Sequence, residues 1–162
     1  MKRLAIVISG GVLFLMLTSQ VLAASFTAVI HEDFGGRASA EPCVQVALGW
    51  ACPGTGTVQG YGQVTSSVLF PYAGEPIVRT LTFKDGSTLV TNETYLSSRY
   101  PGKALDAPGA LVSYGNPGFD HYAWKIVSGT GMFDGASGKG EWVNVLAGDT
   151  KVLKFSGTLT LP

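Results

Sequence analysis

Two charged residues fall on strand faces that are otherwise apolar, and these are the positions at which the sequence could do chemistry. Residues 25–34 alternate with a period of two, which places Glu32 on the apolar face of the predicted strand. Residues 77–83 alternate in the same way and place Arg79 on an apolar face. A buried carboxylate and a buried guanidinium can stabilise each other, and desolvation raises the pKa of a carboxyl group toward the range used in general acid–base catalysis. Glu32 and Arg79 are therefore a candidate internal pair and the candidate catalytic residues.

Simpler explanations for these two charges remain open. Glu32 lies near the end of its strand, where fraying would carry the carboxylate to solvent. A single charge on an apolar face usually marks a strand end or a wrong register, although two charges of opposite sign favour a pair. His31 falls on the opposite, outward face, which is more typical of a surface histidine than of a catalyst.

Chemistry that needs a built-in nucleophile, a metal ion or a nucleotide has no motif in this sequence. There is no Gly-x-Ser-x-Gly, no His-Glu-x-x-His, no dinucleotide fingerprint and no acidic calcium loop. We expect no metal and no cofactor. An activity would have to come from shape, with an apolar ligand held in one conformation against one or two polar groups. The candidate ligand-contacting side chains are aromatic: Tyr61, Tyr95, Tyr122 and Trp124.

The beginning of the chain predicts export. Residues 1–23 have a basic start, an apolar run and small residues before a cleavage site after Ala23, which is typical of a signal peptide. Residues 24–162 then form one domain, with no stable membrane anchor after removal of the signal peptide. The chain has 11 basic and 11 acidic residues and no basic cluster, so we expect no nucleic-acid partner. The predicted location is secreted or periplasmic.

The two cysteines, Cys43 and Cys52, favour a disulfide bond because the chain is predicted to be exported. Their spacing is not that of a C-x-x-C redox motif, and no His pair accompanies them as in a zinc site. We interpret residues 37–53 as a disulfide-tied ribbon or loop over one end of the fold. Trp50 would either pack there as a cover or stay exposed as a ligand-stacking residue.

The rest of the chain predicts an all-β domain, since its charge is low, its glycine content is high and no long helical period occurs. Residues 54–70 form a bent strand or two short ones, with Gly60 and Gly62 allowing a sharply coiled strand. Residues 84–87 form a hairpin turn, and residues 96–117 form a long loop. Further strands are predicted at residues 77–83, 88–95, 119–127, 141–146 and 152–161.

Residues 128–140 form a glycine-rich corner between two strand patterns. The glycines allow positive φ or close backbone packing, and Phe133 supplies one large apolar anchor. No Lys-Ser/Thr follows at P-loop spacing, so a phosphate-binding loop is rejected. We predict a hairpin connection in which Phe133 plugs one end of the core. The structural glycines assigned to it are Gly129, Gly131, Gly135 and Gly138.

The pattern G-T-G-x-F-x-G-A-x-G-x-G in this corner resembles the allene oxide cyclase and dirigent barrel superfamily. The resemblance implies a closed, antiparallel, eight-stranded β-barrel without a redox cofactor, and it raises a homotrimer as the assembly to test. His31 and Glu32 are similar to the His-Asp pair in the first strand of dirigent proteins, so Glu32 would take the place of the active-site acid. Allene oxide cyclases have a Glu at the position of Val29, and this departure counts against a true cyclase.

Two functions from different classes follow. The first is an exported barrel that binds a hydrophobic small molecule, with isomerase-like, cyclase-like or dirigent-like action. The alternative is a noncatalytic secreted scaffold or interaction protein whose barrel is filled by side chains. An open interior pocket would favour the first function, and a filled interior would favour the second.

Overall fold

The predicted alternation of apolar and polar residues produces nine β-strands in the computed structural model, which describes residues 23–33, 43–74, 76–99, 119–147 and 150–162. No α-helix occurs in these ranges, and one turn of 3₁₀-helix spans Gly131–Phe133. The strands are β1 (Ala24–Asp33), β2 (Val44–Val46), β3 (Gly49–Val58), β4 (Gly62–Pro71), β5 (Ile77–Phe83), β6 (Thr88–Arg99), β7 (Phe119–Thr130), β8 (Ser137–Ala147) and β9 (Thr150–Thr160).

Eight of these strands close into an antiparallel β-barrel, which confirms the predicted fold class. They pair in the order β1, β9, β8, β7, β6, β5, β4, β3, and β3 returns to pair with β1. The closing ladder runs from Ala28 opposite Val58 to Glu32 opposite Gly54. Among the described residues, strand β2 pairs only with the beginning of β3, and it lies outside the ring.

Strand β3 changes partner along its length. Its first residues, up to Ala51, pair with β2, and its residues from Gly54 onward pair with β1. Cys52 and Pro53 lie between the ladder with β2 and the ladder with β1. Pro53 has no backbone N–H, but neither ladder needs a hydrogen bond from it at this position. The predicted disulfide between Cys43 and Cys52 is present at this junction and ties the chain before β2 to β3.

The barrel interior is packed with large apolar side chains, as alternation along the strands requires. Trp124 reaches across to β8 and β9, where Gly140 and Gly157 lie opposite each other. A Cβ atom on either glycine would come within 2.7 Å of Cζ2 of Trp124. The two glycines therefore make the space that the indole fills.

One end of the barrel, here called the closed end, is plugged by Phe133 as predicted. Its ring is fully buried and lies 4.5 Å from the ring of Phe83, centroid to centroid. The 84–87 turn is also confirmed, and its Ser87 hydroxyl accepts a hydrogen bond of 3.1 Å from the backbone N–H of Met132. The turn and the glycine corner thus support each other at the closed end.

We predict that replacing Gly131 with Val destabilises the protein more than replacing Gly135 with Val. Both glycines have positive φ, 62° and 72°, so each substitution strains the backbone by roughly 1–3 kcal/mol. At Gly131 a Cβ atom would also lie 2.3 Å from the Ser87 hydroxyl oxygen, whereas at Gly135 the nearest atom is 3.5 Å away. Urea unfolding midpoints of both variants test this order, and an unchanged midpoint for Gly131→Val would contradict it.

Several expectations about local structure were wrong. Gly60 and Gly62 do not coil a strand, because both have positive φ at the turn between β3 and β4. Trp50 does not cover the barrel, since β3 carries it past the ring and leaves it 45% exposed. The loop predicted from residue 96 begins later, because β6 continues to Arg99 in its ladder with β7. The predicted signal peptide through residue 22, residues 34–42 at the end of the predicted first strand and the start of the predicted ribbon, and residues 100–118 lie outside the described residues.

Candidate functional site

The barrel interior is apolar toward the closed end and polar toward the other end, here called the polar end, where β1, β6 and β8 finish. The apolar residues nearest the closed end are Val58, Val64, Leu81, Phe83, Leu89, Ile126, Phe133 and Leu159. The buried polar residues toward the polar end are Glu32, Ser66, Arg79, Thr91, Glu93, Asn144 and Lys151. Buried ionisable groups are expensive unless they are paired, so the polar end is the candidate site.

The predicted pair of Glu32 and Arg79 exists inside the barrel. Nη1 of Arg79 donates to Oε1 of Glu32, and the two side chains are 1% and 0% exposed. The alternative in which Glu32 frays to solvent is therefore wrong. His31 lies on the outer face and is exposed, as expected.

A third charged residue, Glu93, joins this pair and was not predicted from the sequence. Glu93 receives two hydrogen bonds from Arg79, one of 2.6 Å from Nε and one of 3.1 Å from Nη2. Ser66 accepts a further bond of 3.0 Å from Nη1 of Arg79, and Thr91 donates to Glu93 at 3.3 Å. The guanidinium thus lies between two carboxylates, with a hydroxyl satisfying part of its remaining capacity.

Gly54 explains how the wall accommodates Glu32. It lies opposite Glu32 on β1 and opposite Ser66 on β4. A Cβ atom at Gly54 would come within 3.1 Å of Cγ of Glu32 and 2.8 Å of the carbonyl oxygen of His31. The missing side chain lets the carboxylate turn inward toward Arg79.

A second polar group adjoins the first and was also missed. Nζ of Lys151 lies 3.8 Å from Oδ2 of Asp120, and the same oxygen accepts a bond of 2.8 Å from Nδ2 of Asn144. Oδ1 of Asn144 accepts a bond of 2.6 Å from the backbone N–H of Asp120. The Lys151 ammonium also lies 5.1 Å above the ring of Trp142, which is close enough for a cation–π contact.

Burial lowers the pKa of Lys151 from 10.5 to about 8. Desolvation is the main cause, and the positive charge of Arg79 acts in the same direction. The carboxylates of Asp120 and Glu93 raise the pKa and offset part of the effect. Lys151 can therefore exchange a proton near neutral pH, which an ordinary lysine cannot do.

We predict that deprotonation of Lys151 raises the free energy of unfolding as pH rises from about 8 to 10.5. The folded state releases this proton before the unfolded state does, so the unfolded state binds more protons within that window and the free energy of unfolding rises by roughly 1–3 kcal/mol. Urea denaturation at both ends of the window measures the rise. Lys151→Met should remove it, and Lys154→Met, an exposed position on the same strand, should retain it. Equal slopes in the wild type and Lys151→Met would contradict the prediction.

The four aromatic residues proposed as ligand contacts do not lie together. Tyr95 and Tyr122 are in contact toward the polar end, with ring centroids 5.5 Å apart, and Tyr122 stacks on Trp142 at 4.3 Å. Tyr61 instead packs against Phe133 at the closed end. Trp124 packs between these regions, and its indole N–H donates to the carbonyl oxygen of Glu141 at 3.1 Å.

Two buried polar atoms at the candidate site have no hydrogen-bond partner among the residues that the structure describes. They are Oε2 of Glu32 and Nε1 of Trp142. Their side chains are 0% and 2% exposed, so bulk water does not satisfy them. Leaving such atoms unpaired is unfavourable by about 1–3 kcal/mol each, which makes them the least satisfied atoms of this site.

A shallow groove lies elsewhere, on the outer wall. Outward-facing residues of β6, β7 and β8 contribute most of its lining, and none of the buried charged residues lines it. Within the described ranges, no three His, Cys, Asp or Glu side chains are grouped closely enough to hold a metal ion. The described residues also contain no helix long and apolar enough to cross a membrane.

Comparison of the chain with family models, with curated proteins and with solved structures finds no match. The structure itself defines the class of protein: a closed antiparallel eight-stranded β-barrel with an additional outer strand and a buried charged cluster toward one end.

Proposed function

We propose that this protein is an exported β-barrel that binds a hydrophobic small molecule at its polar end. The observation that carries the proposal is a cluster of ionisable side chains, in which Glu32, Arg79, Glu93 and Lys151 are buried and Asp120 is half-buried. Apolar residues of similar size would stabilise a barrel as well or better, so a cluster retained at this cost suggests a function. The disulfide fits an oxidising environment, in agreement with a secreted or periplasmic location.

The surroundings of the cluster suit an apolar ligand with a polar end. Trp142 lies next to Arg79 and Lys151 and stacks on Tyr122, which contacts Tyr95, so aromatic side chains adjoin the charges. Lys151, whose pKa is lowered to about 8, can donate or accept a proton, so an isomerisation or cyclisation without a cofactor is the reaction class that we propose. The resemblance to the allene oxide cyclase and dirigent superfamily favours the same class and remains a prediction.

A noncatalytic scaffold is the second candidate. It is favoured by the packed middle of the barrel, where Phe26 and Phe155 lie against Trp124. It is also favoured by Arg79, whose guanidinium is already bonded to Glu32, Glu93 and Ser66. A barrel of this kind would act through its outer surface.

Native mass spectrometry of the protein purified from its own host distinguishes the two. A binding barrel should carry an additional mass that disappears in a denaturing spectrum of the same sample. The same native spectrum reports whether the protein is a trimer. A bare chain mass, together with no heat-stability shift on addition of apolar compounds, would favour the filled scaffold.

A further inference from the structure

We propose that the polar end receives an uncharged hydroxyl group of the ligand, which donates a hydrogen bond to Oε2 of Glu32 and accepts one from Nε1 of Trp142. This inference rests on the proposed function and adds the chemical class of the ligand. It is carried by the two buried atoms without a partner among the described residues.

The two atoms belong to one packed group of side chains. Glu32 is bonded through its other oxygen to Nη1 of Arg79. Cζ of Arg79 lies 6.0 Å from the centroid of the Trp142 ring, so one guanidinium connects the two residues. Both side chains therefore adjoin the same guanidinium.

The two atoms differ in what they require. The carboxylate oxygen needs a donor, and the indole N–H needs an acceptor. A hydroxyl group is both, whereas an ammonium group only donates and a carboxylate only accepts. A hydroxyl can therefore satisfy both atoms where either charged group would leave one of them unpaired.

The charges already present disfavour a negatively charged ligand group. Three carboxyl groups, on Glu32, Glu93 and Asp120, face two cations, on Arg79 and Lys151, within the described part of this end. A carboxylate would add to the excess of negative charge. An ammonium group could donate to Glu32, but it has no acceptor for the indole N–H of Trp142 and would leave that atom unpaired.

Three probes with the same alkyl chain test the inference: 1-octanol, octanoate and octylammonium. Each is titrated by calorimetry into the protein purified from its own host, after removal of any retained ligand. We expect 1-octanol to bind about tenfold more tightly than either charged probe. Equal or tighter binding of octanoate or octylammonium would overturn the inference. Binding of none of the three would also overturn it, because a trapped water molecule would then satisfy the two atoms.

Two variants make the test specific to the named atoms. Trp142→Phe keeps a ring against Tyr122 but removes the N–H, so it should weaken 1-octanol binding about tenfold, whereas Val143→Ala, an exposed neighbour, should not. Glu32→Gln removes one negative charge, so the ratio of octanoate to 1-octanol affinity should rise. An unchanged affinity of folded Trp142→Phe for 1-octanol would refute the inference. If the ligand retained in the native spectrum carries a carboxylate and no hydroxyl, the proposed function stands and this inference fails.

Discussion

Replacing Arg79 with Met should destabilise the protein by about 3–5 kcal/mol, because removal of one partner leaves buried charges without compensation. Arg79 is bonded to both Glu32 and Glu93, so the substitution leaves two buried carboxylates unpaired. A loss of this size is a large fraction of the roughly 5–15 kcal/mol by which domains are stable. Urea unfolding followed by tryptophan fluorescence measures it.

The other members of the cluster should follow a graded order. Glu32→Gln should destabilise less than Arg79→Met, since the two hydrogen bonds from Arg79 to Glu93 are retained. Combining Glu32→Gln with Arg79→Met should recover part of the loss, and adding Glu93→Gln should recover more. Lys154→Met, at an exposed position, serves as the control. The same unfolding midpoint for Arg79→Met and Lys154→Met would refute the network.

Replacing Phe133 with Ala should also lower stability by about 3–5 kcal/mol, as expected for deletion of a buried aromatic ring. The ring is fully buried, and its centroid lies 4.5 Å from that of Phe83 and 5.2 Å from that of Tyr61. No other side chain of the 3₁₀-turn is buried, so the cavity would open directly at the closed end.

Met132 provides the matched control for Phe133. It is the preceding residue in the same turn and is 45% exposed. Met132→Ala should therefore change the free energy of unfolding by no more than about 0.5 kcal/mol. Similar losses for the two variants would show that the turn, rather than the buried ring, supports the closed end.

The Glu32–Arg79 pair could be predicted because both residues lie in strands with unbroken alternation. Period two assigns each side chain to a face, and closure of the sheet then places inward charges in one interior. Glu93 follows the same rule on β6, where it shares the inward face with Leu89 and Thr91. The alternation of residues 88–95 therefore also indicates an inward position for Glu93.

Lys151 and Asp120 were harder to find because both lie near strand ends. The last strand was predicted from residue 152, whereas β9 begins at Thr150, so Lys151 lay just before the predicted strand. Asp120 is the second residue of β7 and shares the face of Tyr122 and Trp124, but a carboxylate at a strand end is usually assigned to solvent. Sequence patterns locate strand boundaries poorly, and Asp120 and Lys151 both lie at such boundaries.

The extension of β3 toward its amino end could not be predicted from alternation alone. Pro53 argues against a strand, and only the change of partner from β2 to β1 makes its place in a ladder acceptable. The role of Gly60 and Gly62 could not be predicted either, since glycine suits both a coiled strand and a hairpin turn. Long-range pairing decides between such options, and it is not encoded within a short window.

The pairing of the first strand with the last limits when the barrel can be completed. β1 and β9 are joined over ten residue pairs, although nearly the whole chain separates them. Contacts between such distant segments slow folding. A growing chain that lacks β9 leaves β1 and β8 with unpaired edges, which can associate with other chains. We therefore expect the chain to be most prone to aggregation before its final strand is available.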